Sequence, residues 1–135
     1  MTFSLAQDAF FTDYFHHYPV HATNAGNHEH DGAWPDMTDA GTQKRLSWLA
    51  GARASLGAAH GLTRHEEIDR RVLVTQIDEL RFDEEDLDEA SWSPIVYNYL
   101  LGGGLFALVS REFAPLAEPR APAAPRLEGL PAHRA

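Results

Sequence analysis

Cysteine is missing from all 135 residues. That excludes a disulfide framework, a thiol nucleophile and a thiolate zinc site, and it fits a reducing, cytoplasmic location. Positive charge is scarce: 11 Lys and Arg stand against 20 Asp and Glu, for a formal net charge of −9. Nucleic acids and anionic membranes select basic surfaces, so neither is expected as a partner. Long apolar runs are absent too. The longest, Ile95–Val109, is 15 residues and contains Asn98, short of the ~20 a spanning helix needs. Met1-Thr2-Phe3-Ser4 is followed by Asp8 and Asp13 rather than by a basic and then an apolar segment, so no signal peptide is expected. No stretch alternates as a strand does.

Familiar catalytic motifs are equally scarce. There is no Gly-x-Ser-x-Gly elbow. Gly102-Gly103-Gly104 is followed by Leu105-Phe106, whereas a phosphate-binding loop needs Gly-Lys-Ser/Thr. His65-Glu66-Glu67-Ile68-Asp69 imitates the zinc-peptidase motif His-Glu-x-x-His, but its fifth position is Asp69. Glu66 also completes a capping box with Thr63, so this segment is a helix start and not a metal site.

What is present is helical. With 44% hydrophobic and 23% charged residues, the composition is globular. Leu5, Ala9, Phe10, Tyr14, Phe15 and Tyr18 recur at helical spacing, which predicts a helix over 5–18. Pro19 opens a short second helix to Thr23, with Gly26 as its C-terminal cap. Asn27–Thr38 reads as a loop. A third helix over 39–60 is marked by Leu46, Leu49, Arg53 and Leu56, and its glycines Gly41, Gly51 and Gly57 leave it dependent on packing. Thr63 opens the longest helix, to Ala90, carrying Ile68, Val72, Leu73, Ile77, Leu80 and Leu87 on one half. Pro94 starts a buried helical hairpin, Ile95–Leu101 and Gly104–Phe113, broken at the three glycines. These elements predict an all-α fold, an irregular antiparallel array of about five or six helices.

Two boundaries follow from composition. Residues 1–115 form the helical portion, and 116–135 form an irregular tail, because Pro119, Pro122, Pro125 and Pro131 each oppose helix continuation. Charge is also segregated. Residues 61–90 hold eleven Asp and Glu against four Arg, a solvated acidic face or one that meets a basic partner. His16, His17, His21, His28 and His30 fall within 15 residues. His28-x-His30 has ligand types suited to zinc or nickel, but no third ligand has a forced position, so no metal is assigned.

Several stretches, in this order, resemble the N-terminal part of the bacterial domain-of-unknown-function 885 family. They are Asp13-Tyr14-Phe15, Pro19 through Gly26-Asn27-His28 and Asp31, the Leu46/Leu49/Arg53/Leu56 helix, and Ile68-Asp69 with Leu73 and Gln76. Pro94 through Tyr97, Gly102-Gly103-Gly104-Leu105 and Arg111-Glu112-Phe113-Ala114-Pro115 complete the set. The resemblance spans Leu5 to Glu118. It implies a large, mostly helical protein similar to zinc metallopeptidases, with zinc and a peptide-like substrate belonging to the full-length family. The family's zinc motif lies beyond the matching region, so no catalytic or metal residue is carried over.

The resulting expectation is a partial domain of a larger helical protein, inactive alone. The loop residues His28, His30 and Asp31 are the candidates to face a substrate cleft. The alternative is a non-enzymatic helical domain that docks or dimerises through its apolar 94–113 surface. The expected partner is therefore the missing C-terminal portion or a second copy.

Overall fold

A computed structural model describes residues 2–110 and 123–129. The fold is all-α. Among the described residues there is no strand, and the helices are α1 (Phe3–His17), α2 (Pro19–Asn24), α3 (Asp39–Gly57), α4 (Arg64–Phe82), α5 (Glu89–Trp92), α6 (Pro94–Ser110) and α7 (Ala123–Glu128). A 3₁₀ turn covers His28–His30 and a π turn covers Asp83–Leu87. The chain forms two compact units, 1–13 with 39–89, and 14–38 with 90–135.

In the first unit α3 packs against α4. Leu49 and Leu56 from α3 and Leu73 and Ile77 from α4 are buried, together with Phe3, Ala6 and Phe10 of α1. Phe10 stacks on Trp48, ring centroids 5.6 Å apart. The capping box at the start of α4 forms as its sequence predicts: the Thr63 hydroxyl accepts from the Glu66 amide, and the Glu66 carboxylate accepts from the Thr63 amide. These bonds hold the Glu66 carboxyl below its usual pKa. The apolar stripe of α4 is narrower than its periodicity predicts, since Ile68 and Val72 remain exposed.

The expected helix from 63 to 90 is not continuous. It passes into the π turn after Phe82 and stops at Asp88, which adopts a left-handed conformation at φ 38°. Eight acidic residues crowd 78–89, and negative charge is unfavourable at a helix C-terminus. An ion pair holds the altered turn: Arg45 of α3 donates from Nε and Nη2 to both carboxylate oxygens of Glu84, at 2.6 and 2.8 Å. Farther along, Arg53 pairs with Asp78 at 2.7 Å. Part of the acidic segment is thus neutralised within its own unit.

In the second unit α2 packs against α6, and α6 against α7. Two expectations are corrected here. The predicted hairpin is one unbroken helix from Pro94 to Ser110. Its glycines stay helical, and only Gly104 is tightly packed: a Cβ there would stand 2.7 Å from the Trp34 ring and 3.2 Å from Val20. The expected continuation to Phe113 lies outside the described residues. The tail, expected to be irregular, contains α7. Pro125 is tolerated there because it sits in the first helical turn, where the amide has no intrahelical acceptor.

Candidate functional site

The loop that carries His28, His30 and Asp31 is built by the end of α2. Gly26 takes φ 88°, a conformation that costs glycine little. The Asn27 amide then bonds back to the Ala22 carbonyl at 2.9 Å and the Gly26 amide to Thr23 at 3.1 Å, the paired closure of a Schellman motif. Asn27 next caps the 3₁₀ turn by accepting from the Glu29 amide at 3.1 Å. The turn ends by bringing Asp31 back under α2.

Asp31 is only 4% exposed. The Thr23 hydroxyl donates to its Oδ1 at 2.7 Å, and His28 Nδ1 lies 2.9 Å from its Oδ2. A carboxylate accepts only, so His28 Nδ1 carries the proton in this pair, and further interaction of the ring is directed to Nε2. The carboxylate therefore orients the imidazole and has no oxygen turned to solvent. His28 keeps 37% of its side chain exposed. His30 is half-buried, with its ring 5.9 Å from that of His16. The structure thus brings His28 and Asp31 together and sets His30 beside His16. Among the described residues, no three His, Cys, Asp or Glu side chains gather as a metal site.

Sequence reasoning missed the other half of this network. Arg126 of α7 is fully buried. Its guanidinium donates to the Gly104 carbonyl at 3.0 Å, the Thr23 hydroxyl at 3.0 Å and the His30 carbonyl at 3.1 Å. It also lies 5.4 Å from the centroid of the Trp34 ring, and the Trp34 indole N–H donates to the Arg126 carbonyl. Burial lowers the Arg126 pKa, while the nearby Asp31 charge opposes that shift. Thr23 links the two charged groups, accepting from Arg126 while donating to Asp31. The spacing of Thr23 from Asp31 could have suggested the loop closure. Nothing local marks Arg126, which lies in a proline-rich stretch far along the chain.

Beside this network, Tyr14, Tyr18 and His21 form an aromatic cluster. The Tyr14 hydroxyl is 2.8 Å from His21 Nδ1, and the His21 ring stacks on Tyr18 at 5.6 Å. Tyr18 covers one face of the imidazole and the Tyr14 hydroxyl meets its Nδ1 edge, and this partial desolvation lowers the His21 pKa and raises that of Tyr14. In the first unit, Thr75, Asp78, Glu79, Phe82 and Asp83 line a shallow, open depression. No described helix is long and apolar enough to cross a membrane by itself.

No family model and no curated protein matches the chain. Among solved structures it is similar to a chain from Shewanella oneidensis described as "a putative lipoprotein of unknown function", with a TM-score of 0.84 and 25% identity. The match covers 96% of this chain and 24% of that one. The chain therefore spans about a quarter of the length of the protein it resembles.

Proposed function

We propose that the chain is the N-terminal helical portion of a larger, zinc-peptidase-like bacterial protein and has no hydrolytic activity alone. The observation that carries this reading is that nearly the whole chain aligns with a quarter of a much longer one. Motif order supports it, since the Gly26–Asp31 loop and the Pro94–Leu105 helix occur as in the domain-of-unknown-function 885 family. Zinc and the peptide-like substrate belong to the complete protein, because this chain has no His-Glu-x-x-His. The loop lines the substrate cleft of that protein. His28 and His30 face the substrate, and Asp31, with both oxygens engaged, fixes the His28 ring. We place the protein in the cytoplasm on its lack of cysteine; the lipoprotein description belongs to the Shewanella chain. The test is zinc analysis and a peptidase assay on the purified chain. Neither bound zinc nor turnover is expected, and zinc-dependent turnover overturns the reading.

A second reading has its own support. α6 exposes Ile95, Tyr99, Phe106 and Val109, an apolar surface of the kind used for docking. On this reading the chain is a non-enzymatic interaction domain.

A further inference from the structure

We propose that α6 pairs with α6 of a second copy of this chain, antiparallel, crossing at Gly102. The inference rests on the docking reading and names its partner and geometry. One face of α6 belongs to the core of its unit, with Gly104, Ala107 and Leu108 buried. The opposite face carries Ile95 at 48% exposure, Tyr99 at 70%, Phe106 at 69% and Val109 at 69%, with Gly102 exposed between them. At 100° per residue these five positions fall in one narrow stripe. Their spacing is four, three, four and three residues, the a/d seam by which one helix packs along another. A helix apolar on both faces is normally buried on both.

The order of residues along the stripe matches the same stripe run in reverse. Gly102 stands seven residues from Ile95 and seven from Val109, about 10.5 Å either way. Reversing the helix about Gly102 places Ile95 against the partner's Val109, a pair of β-branched side chains. Tyr99 falls within one residue of the partner's Phe106, an aromatic pair. Glycine meets glycine at the crossing, where a Cβ at Gly102 would have no neighbour within 4 Å in the single chain. The stripe is its own complement, as a two-fold interface requires. No charged residue occurs between Pro94 and Ser110, so the chain's net negative charge is not concentrated at the contact. Four large side chains, two of them aromatic, offer roughly 500 Å² per copy. The pair would then bury roughly 1,000 Å², at the lower limit for a specific interface.

The test is sedimentation equilibrium of the full chain from 1 to 200 μM, with Phe106→Glu and Tyr99→Glu as variants. A dimer is expected, weakened at least 100-fold by either substitution, with helical circular dichroism unchanged because both side chains are exposed. A monomer throughout the range, or a dimer indifferent to both substitutions, overturns the proposal. The cysteine-free chain also permits a direct geometric check. Ile95→Cys and Val109→Cys chains should form a disulfide when mixed, whereas Val109→Cys alone should not. Cross-linking of Val109→Cys to itself would instead show a parallel pair and overturn the geometry. These measurements are independent of zinc or peptidase activity, so the proposed dimer and the zinc-peptidase-like reading can fail separately.

Discussion

The two units use arginine in opposite ways. In the unit formed by 1–13 and 39–89, Arg45 and Arg53 each reach from α3 to a carboxylate, Glu84 and Asp78. Arg45 is nearly buried and Arg53 is half exposed. In the unit formed by 14–38 and 90–135, Arg126 is fully buried, yet it reaches two backbone carbonyls and a hydroxyl, with Asp31 acting through Thr23. One unit places charge directly against charge. The other spreads a single buried charge through polar groups that draw three separate segments together. The first arrangement pins a helix turn, whereas the second joins a chain end to the unit's centre.

The comparison breaks most sharply at Arg45. Arg45→Met leaves Glu84 without its guanidinium and should cost about 3 kcal/mol. Arg53→Met, at a solvent-screened pair, should cost much less. Urea unfolding of the two variants measures the difference, and equal losses would show that burial does not separate them.

Arg126→Met should cost about 2 kcal/mol, because Thr23 and two carbonyls lose a charged donor. Arg126→Lys should recover little of this, since an ammonium cannot reproduce the planar fork. Full recovery by lysine would reduce the network to a simple charge effect.

The three glycines of α6 sharpen the picture on a smaller scale. Gly104→Ala should lower stability by about 1–2 kcal/mol because its methyl meets the Trp34 ring. Gly103→Ala, with nothing within 4 Å of the new methyl, should instead raise stability by roughly 0.5–1 kcal/mol through helix propensity. Thermal unfolding of both variants reads the two signs directly.

The pH response is the smallest expected effect and distinguishes the units by where it begins. His21 has a folded pKa below its ordinary 6.5 because burial disfavours the imidazolium. The unfolded chain therefore binds the proton first, and stability falls as pH drops below about 6.5. Asp78, Glu66 and Glu67 are held below the usual carboxylate range, chiefly by hydrogen bonds from Arg53, Thr63 and Arg70. Their contribution is present above about pH 4 and is lost as pH falls through their lowered values. Urea midpoints measured from pH 7 to 3 should show both limbs, and His21→Gln should flatten only the upper one.

Local chemistry was legible without coordinates. The Thr63 capping box, the Gly26 cap, the proline starts of α2 and α6, and the apolar spacing of α3 all depend on neighbours within one or two turns. The loop was also legible as a loop, but the role of Asp31 was not. Its residue type fits a cleft-facing acid, and only the return of the 3₁₀ turn toward Thr23 shows that both oxygens are engaged. The glycine triplet looked like a helix break because glycine propensity is low. Packing of Gly104 against Trp34 and Val20 outweighed that cost and kept the helix continuous.

Sequence alone determined the all-α class and most helix starts, because each depends on residue type and short-range spacing. The tertiary structure decided which face of α6 is core and which is open, the π turn pinned by Arg45, and the recruitment of Arg126 to Thr23, Gly104 and His30. Those features join residues separated by 22 to 103 positions. No local propensity encodes such a pairing; it is fixed only when packing brings the distant donor and acceptor out of water together.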